Sequence, residues 1–151
     1  PGPGPSPSGS WTPGKRLGQC GGLCYRVSNT CQFDSYAGPT YACQDYLKGK
    51  GAEKLQSFCG QDHNKIAFGH KLGSMQCGDC ALIRVKNDAG SPTEYQEVCM
   101  MAVDVGSGEV SDETLLGTGP DALCKYNAAC QSATRVDYEW QTVDCTSCAP
   151  P

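Results

Sequence analysis

The 151-residue chain carries little basic charge, and the basic residues it has are scattered. Its 12 Lys and Arg residues stand against 16 Asp and Glu, which gives a net charge of −4. The longest basic run is Lys15-Arg16. A protein that binds nucleic acid through its phosphates needs clustered Lys and Arg. We therefore expect no nucleic-acid partner.

Long apolar runs and histidines are also scarce. No apolar stretch reaches the ~20 residues that a membrane-spanning helix needs, so no membrane partner is expected. The two histidines, His63 and His70, lie in a stretch that reads as loop, and we expect them to be exposed or structural. With no Gly-x-Ser-x-Gly turn and no glycine-rich phosphate loop, neither a Ser-His-Asp hydrolase nor a nucleotide cofactor is expected.

Cysteine, in contrast, is abundant. The chain has 12 cysteines, an even number that allows every thiol to be paired. Cytosolic proteins keep thiols reduced, so this content predicts a secreted, extracellular protein with several disulfides. No signal peptide is visible, which favours a mature form or an excised domain. The protein is expected to be a monomer.

Residues 1–10, PGPGPSPSGS, contain only Pro, Gly and Ser. Such a stretch cannot bury apolar surface, and its prolines stiffen it into a spacer. A linker remnant is favoured over a frayed terminus, and a linker implies a binding module upstream in the parent chain. Residues 11–151 are then one domain with a cysteine-rich N-terminal extension.

The rest of the chain shows short stretches of β periodicity between turns. Alternating or continuous apolar residues predict strands at 25–33, 82–87, 98–105 and 136–145. Helical signals are few. A short helix broken by Gly49 and Gly51 is predicted within 44–58, and SDETLL at 111–116 has a helix-start pattern. The predicted fold class is mainly β, a small barrel with short helices and long disulfide-stapled loops.

The pair CGDC at 77–80 has three interpretations. A zinc site is one, since a second close pair exists at Cys145 and Cys148, but 12 cysteines far exceed the four ligands of one site. A redox motif is another, but that motif begins a helix, whereas this pair precedes a strand. The favoured interpretation is that each cysteine staples the start of a strand, and no metal is expected.

The same segment, CGDCALIRVKNDAGSP, resembles the CG-x-C-x-x-(I/V)-x-V-x-N segment of double-psi β-barrel proteins. Barwins, expansins, family-45 glycoside hydrolases and bacterial septal-wall lytic proteins belong to this group. VCMMAVDVGSGEVSDETLL and VDYEWQTVDC are similar to later segments of barwins and expansins, and together the match covers about residues 59–145. The resemblance implies a six-stranded double-psi β-barrel.

Family-45 hydrolases are inverting enzymes, whose acid and base carboxyl groups stand about 6.5–9.5 Å apart. Thr30-Cys31-Gln32-Phe33-Asp34 is similar to their Thr-Arg-Tyr-Trp-Asp strand, with Cys and Gln in place of Arg and Tyr. The resemblance therefore implies Asp34 as the catalytic base. A turn-capping role before SYAGP is an equally good interpretation of this residue.

The resemblance places the acid in GSGEVSDETLL, where the best register puts Glu109 at the family's second carboxylate. Asp104 is the alternative, because a carboxyl that leaves a buried strand is partly desolvated, which suits a general acid. Asp112 is a third choice but fits a helix cap better. A non-hydrolytic relative, in which these are ordinary loop acids, stays open.

Aromatic residues can line a sugar groove, and the candidates are Tyr25, Phe33, Tyr36, Tyr41 and Trp11. Trp140 is assigned to the core instead, because it alternates in phase with Val136 and Tyr138.

The preferred function is a secreted glycoside hydrolase that cleaves β-1,4-linked cell-wall glycan. The departures from both family-45 motifs resemble the divergent fungal muramidases of this fold, which makes peptidoglycan the preferred substrate. The acidic pI of about 5.0 counts against an anionic polymer such as peptidoglycan. The alternatives are a family-45-type endoglucanase acting on cellulose, a non-catalytic expansin- or barwin-like wall-binding protein, and a cysteine-rich interaction or inhibitor domain.

Overall fold

The computed structural model of the chain describes residues 11–14, 16–18, 25–27, 33–35, 42–62, 65–104, 113–115, 123–132, 137–146 and 148. In the short segments 16–18, 25–27, 33–35 and 113–115 it describes the course and pairing of the backbone. The predicted linker at 1–10 lies outside the described residues.

Strands dominate the described part of the chain. They are β1 (Thr12–Gly14), β2 (Arg16–Gly18), β3 (Tyr25–Val27), β4 (Phe33–Ser35), β5 (Ile66–His70), β6 (Cys80–Lys86), β7 (Tyr95–Asp104), β8 (Glu113–Leu115) and β9 (Tyr138–Val143). The described helices are short, and they are α1 (Gln44–Lys48), α2 (Ala52–Cys59) and α3 (Ala128–Ser132).

Five of these strands form one mixed sheet in the order β1-β9-β6-β7-β5. All neighbours are antiparallel except β5 and β7, which run parallel. Two small sheets accompany it, a parallel pair β2-β8 and an antiparallel pair β3-β4. The predicted mainly β class is therefore confirmed, whereas the six-stranded double-psi barrel stays a prediction.

The two faces of the main sheet pack against different hydrophobic clusters. Side chains alternate along a strand, so Ala81, Ile83 and Val85 of β6 point to one face and Cys80 to the other. These three residues belong to the first cluster, called cluster 1, together with Val98 and Met100 of β7. Cluster 2 lies on the opposite face, where α1 and α2 bury Leu47 and Phe58 against it.

The break between α1 and α2 lies where the sequence predicts it. Gly49 follows the last residue of α1, and Gly51 immediately precedes α2. A Cβ on Gly51 would lie 2.3 Å from Tyr46 Cε2, so close packing against this ring requires glycine there. The two helices therefore fold as separate short segments on one end of the sheet.

The cysteines of CGDC are each bonded to a distant cysteine. Cys77 pairs with Cys43, and Cys80 pairs with Cys145. The remaining described disulfides are Cys99–Cys148 and Cys124–Cys130. The stapling interpretation of CGDC is confirmed, and such bonds agree with the predicted extracellular, oxidising environment.

Three predictions of local structure are wrong. The single strand predicted at 25–33 is instead two strands, β3 and β4, paired antiparallel. The helix start predicted at 111–116 contains β8, which pairs with β2. The supposed loop before His70 contains the fully buried strand β5. β5 and β8 pair with strands that are distant in the sequence, and this pairing overrides the local signal.

Candidate functional site

The residues predicted to carry catalysis are described only by their backbone or not at all. Asp34 lies in β4, opposite Arg26 of β3. Asp104 is the last residue of β7 and pairs with His70 after a register shift in β5. Glu109 lies outside the described residues. No distance between the predicted acid and base therefore follows from the structure.

The predicted sugar-groove aromatics divide in the same way. Tyr25 and Phe33 are placed by backbone in β3 and β4, while Tyr36 and Tyr41 lie outside the described residues. Trp11 is described together with its side chain, which is half-buried. Of the predicted aromatic set, Trp11 is thus the residue on which a described site can be built.

The part of the cluster-2 face that the helices leave uncovered is called here the open half-face. It carries Arg84 at its centre, on β6. The register sets Glu97 of β7 opposite Arg84 on one side and Glu139 of β9 opposite it on the other. Residues paired in this way have side chains on the same face, so two carboxylates flank one guanidinium.

Arg84 is held between two aromatic rings. Its Cζ lies 4.1 Å from the centroid of the Trp11 ring and 4.0 Å from that of Tyr95. A guanidinium over an aromatic face is attracted by the negative face of the ring. We call Trp11, Arg84 and Tyr95, together with Glu139, the Arg84 stack.

An ion pair fixes the orientation of the guanidinium. Arg84 Nε donates a hydrogen bond to Glu139 Oε1 at 2.7 Å, and the Arg84 side chain is only 21% exposed. Glu139 is 37% exposed, so water screens the pair partly, and its stabilisation is about 0.2–1 kcal/mol. The main consequence is geometric, because Arg84 can no longer sample other rotamers without breaking three contacts.

Gln141 borders the Arg84 stack. It lies on β9 two residues beyond Glu139 and therefore shares its face, and its partner on β6 is Leu82. Gln141 is 6% exposed, and among the described residues neither atom of its side-chain amide has a hydrogen-bond partner. A buried polar group without a partner is rare in folded proteins.

Sequence reasoning found Trp11 but missed Arg84, Tyr95, Glu139 and Gln141. The alternation in LIRVK and VDYEWQ contained part of the signal, since it places Arg84 on one face of its strand and Glu139 with Gln141 on one face of another. It could not show that these strands are neighbours. Trp140, assigned to the core, is half-buried and packs against cluster 1 as predicted.

Within the described ranges, no group of three or more His, Cys, Asp or Glu residues is arranged to hold a metal ion. The helices described there are also too short and too polar for any of them to cross a bilayer.

No family model matches the chain. No curated protein matches it either. Among solved structures, the chain is similar to the crystal structure of cerato-platanin 1 from M. perniciosa, at 18% identity and a TM-score of 0.45. The similarity covers 89% of this chain and 98% of that chain. A similarity of this size does not establish a shared fold.

Proposed function

We propose that this domain binds cell-wall polysaccharide without cleaving it, and that the Arg84 stack is its binding surface. The observation that carries the proposal is the guanidinium of Arg84 held between the rings of Trp11 and Tyr95. A pyranose ring has apolar C–H faces and a rim of hydroxyl groups. A surface for it therefore needs flat aromatic area with a few fixed polar groups, as small-molecule sites generally do.

The polar groups of the stack suit a hydroxyl rim. The Arg84 Nε–H donates to Glu139, and the other N–H groups of an arginine can donate to ligand oxygens. Glu139 is a carboxylate with acceptor capacity beyond its bond to Arg84. Because the ion pair already holds both groups, a ligand binds them without ordering them first. Such preorganisation lowers the entropy cost of binding.

The charges on the open half-face favour a neutral polymer. Glu97 and Glu139 flank Arg84, and Lys86 lies two residues further along β6, opposite Tyr95. These two negative and two positive side chains cancel, so the open half-face is neutral, while the whole chain has a net charge of −4. An anionic glycan would gain no net attraction from this surface. This argues for a neutral glycan and against anionic peptidoglycan strands as the main ligand.

The test is a depletion assay with insoluble wall polysaccharides, backed by calorimetry with soluble oligosaccharides. We expect Tyr95→Ala to weaken binding at least tenfold. The matched control is Tyr126→Ala, because Tyr126 is also half-buried and also contacts a cation, Lys125, but is no part of the stack. Equal affinity of Tyr95→Ala and the parent protein would refute the role of the stack.

Glycoside hydrolysis by Asp34, with Glu109 or Asp104 as acid, is the second candidate function. Its support is an arrangement of strands. β4, with Asp34, pairs with β3; β3 lies beside β5; and β5 pairs with β7, which ends at Asp104. Asp34 and Asp104 thus belong to one connected set of strands, while Glu109 lies outside the described residues. Muramidase and endoglucanase activities both remain within this candidate.

Hydrolysis is tested by product release from bacterial cell wall and from soluble cellulose. The hydrolase hypothesis predicts activity on one of them that Asp34→Asn abolishes, with Glu109→Gln or Asp104→Asn abolishing it as well. Activity on neither substrate, in a protein that binds polysaccharide, supports the non-catalytic function. Activity that survives all three substitutions places the reaction at other residues.

A further inference from the structure

Two of the described disulfides lie on the cluster-2 face of the main sheet and share one short segment of the chain. They are Cys80–Cys145 and Cys99–Cys148. Three of these cysteines belong to cluster 2, and Cys148 packs against it. Residues 145–148 have the sequence CTSC, so this segment, which follows β9, is bonded to the sheet at both of its ends.

The sheet cysteines of the two disulfides are neighbours on adjacent strands. The register of β6 and β7 sets Cys80 opposite Met101. Two residues further along β6, Leu82 is opposite Cys99, so Cys80 and Cys99 are diagonal neighbours. Residues at such positions lie about 7–8 Å apart. The two disulfides are therefore close enough for the sulfurs of one to reach the other.

Cys80 and Cys99 are nevertheless held too far apart to bond to each other. A disulfide needs Cα atoms about 4.4–6.8 Å apart, and the pairing of β6 with β7 keeps the diagonal positions beyond that range. If both became thiols, they would stay thiols unless the strands shifted. Any rearrangement that frees both of them therefore needs a reductant from outside.

The CTSC segment, in contrast, is able to close on itself. Its backbone turns at Cys145 and Thr146. Residues three positions apart across a turn come within about 7 Å, close to the Cα range of a disulfide. Besides its disulfides, the described anchor of the segment is a side-chain bond, in which Gln61 Nε2 donates to the Cys145 carbonyl. A bond between Cys145 and Cys148 thus needs local movement and no change in the strands.

CGDC, the other close pair of cysteines, has a backbone that is held more firmly. The Gly78 N–H donates to the Ala102 carbonyl at 2.9 Å, and the Ala102 N–H donates to the Asp79 carbonyl at 2.9 Å. These two bonds join the middle of CGDC to β7. A movement that brought Cys77 onto Cys80 would disturb them. Of the two close pairs, CTSC is therefore the one that closes with less disruption.

Exposure determines which disulfide of the adjacent pair an external thiol can attack. Cys148 is partly exposed, whereas Cys99 and both members of Cys80–Cys145 are buried. Thiol–disulfide exchange requires access of the attacking thiolate to a sulfur atom. Cys80–Cys145 is thus protected from direct attack and is reached through its neighbour.

We propose that Cys99–Cys148 is the site at which an external dithiol reduces this domain, and that CTSC then closes on itself and detaches the segment after β9 from the sheet. A thiolate of the dithiol attacks the Cys148 sulfur, and Cys99 leaves as a thiolate that takes up a proton. The second thiol of the dithiol then displaces Cys148, which becomes a thiolate, and the dithiol ends as a disulfide.

The exchange within the protein follows. The Cys148 thiolate attacks the sulfur of Cys145. The Cys145–Cys148 bond forms, the Cys80–Cys145 bond breaks, and Cys80 leaves as a thiolate that takes up a proton. The net change is the transfer of two electrons and two protons from the dithiol to the sulfurs of Cys80 and Cys99.

The strands keep their pairing in the product. β6 and β9 remain joined by their own register, including Arg84 opposite Glu139. None of the four cysteines belongs to the Arg84 stack, so the inference does not depend on polysaccharide binding. The domain can thus take up two electrons while its main sheet stays intact.

The experiment is limited reduction of the native full chain with dithiothreitol. Thiols are trapped by alkylation at successive times, and the disulfides are mapped by mass spectrometry of tryptic peptides. The expected early product has alkylated Cys80 and Cys99, with Cys145–Cys148 closed inside the single tryptic peptide 136–151. It should form at least about tenfold faster than thiols from Cys124–Cys130, whose two cysteines are both buried.

Two double variants test the order of the steps. In Cys99→Ser with Cys148→Ser, Cys80–Cys145 should stay closed under the same conditions, because the attacking thiolate is missing. Cys43→Ser with Cys77→Ser is the matched control, since Cys77 is also partly exposed and also belongs to a close pair. This control should give the same early product at the rate of the parent. If a variant fails to fold, the time course of the parent protein decides.

Three results would overturn the inference. Alkylation of Cys99 and Cys148, with Cys80–Cys145 closed throughout, would show reduction without exchange. Opening of all the disulfides at one rate would show that reduction follows global unfolding. Reduction of Cys43–Cys77 ahead of the others would place the site of attack there.

Discussion

Arg84 and Glu139 face each other across β6 and β9, and Arg84 Nε donates to Glu139 Oε1 at 2.7 Å. The residues are 55 positions apart in the chain. The same guanidinium contacts the rings of Trp11 and Tyr95, which come from two further strand ends. One arginine therefore connects four segments of the chain on the open half-face.

Substitution of Arg84 should cost more stability than substitution of Glu139. Glu139→Gln weakens a partly exposed ion pair, and we expect a loss of at most about 1 kcal/mol. Arg84→Met removes that pair and two cation–π contacts worth about 0.5–1 kcal/mol each, so a loss of about 1–3 kcal/mol is expected. Urea unfolding with disulfides intact measures both. Equal losses would mean that the rings do not hold Arg84.

A side chain at Gly78 should destabilise the protein more than one at Gly90. The φ of Gly78 is +84°, and a Cβ there would lie 2.8 Å from Tyr46 Cε2. Gly90 is the matched control, with a φ of +89° and nothing within 4 Å of an added Cβ. Gly90→Ala should cost about 1–2 kcal/mol for the left-handed backbone alone. Gly78→Ala should cost about 1–3 kcal/mol more, because the Tyr46 ring must shift.

Thermal unfolding of these two variants separates backbone strain from crowding. Adding Tyr46→Ala to Gly78→Ala provides the closing control, since it removes the ring that the new methyl group meets. When Tyr46 is already alanine, Gly78→Ala should therefore lower the free energy of unfolding by less than it does in the parent protein. No coupling between the two sites would show that the cost at Gly78 is purely conformational.

The disulfides Cys80–Cys145 and Cys124–Cys130 close loops of very different length, and they should contribute unequally to the free energy of unfolding. Cys80–Cys145 closes a separation of 65 residues, whereas Cys124–Cys130 closes one of 6. Loop-closure entropy predicts about 4 kcal/mol for the first and about 2 kcal/mol for the second. All four cysteines are buried, so replacing each pair by alanines creates comparable cavities. A larger loss on removing Cys124–Cys130 would contradict the entropic account.

Acid should remove a stabilising contact at the end of β9. The backbone N–H of Thr146 donates to Asp144 Oδ1 at 3.0 Å, and this bond, with a second one from the Thr146 hydroxyl, lowers the pKa of Asp144. A lowered folded-state pKa means stability that is present at neutral pH and is lost as the carboxylate is protonated. Asp144→Asn should therefore destabilise the protein at pH 7.

The difference between Asp144→Asn and the parent should shrink as the pH falls below about 4, where the carboxyl is protonated in the unfolded chain. Thr146→Val is the intermediate control, because it removes the hydroxyl bond and keeps the backbone bond. Denaturant midpoints measured between neutral and acid pH test the prediction. A difference that is constant over this range would show that the charge of Asp144 plays no part.

Local patterns predicted much of the main sheet. The alternation of LIRVK and the apolar run VCMMAV identified β6 and β7, and the glycine pair at 49 and 51 located the break between α1 and α2. β5 was missed, because IAFGH is too short to show a period and its pairing with β7 is parallel and distant in sequence. Local pattern alone does not separate β3 from β4, which pair with each other antiparallel.

The candidate site was less predictable than the fold. The sequence suggests Trp11 as one of the aromatic residues that can line a sugar groove, but nothing in its neighbourhood in the sequence connects it with Arg84. Alternation places Gln141 on the same face as Glu139, but it does not predict that the glutamine is buried.

The amino-acid sequence by itself determined the disulfide-rich, mainly β character of the protein and the role of CGDC as two staples. These features depend on cysteine content and on period-two alternation, which are local properties of a chain. Only the tertiary structure decided which outward-facing residues meet. Strand order places β9 between β1 and β6, and this long-range pairing brings Glu139 and Gln141 beside Arg84 and Trp11.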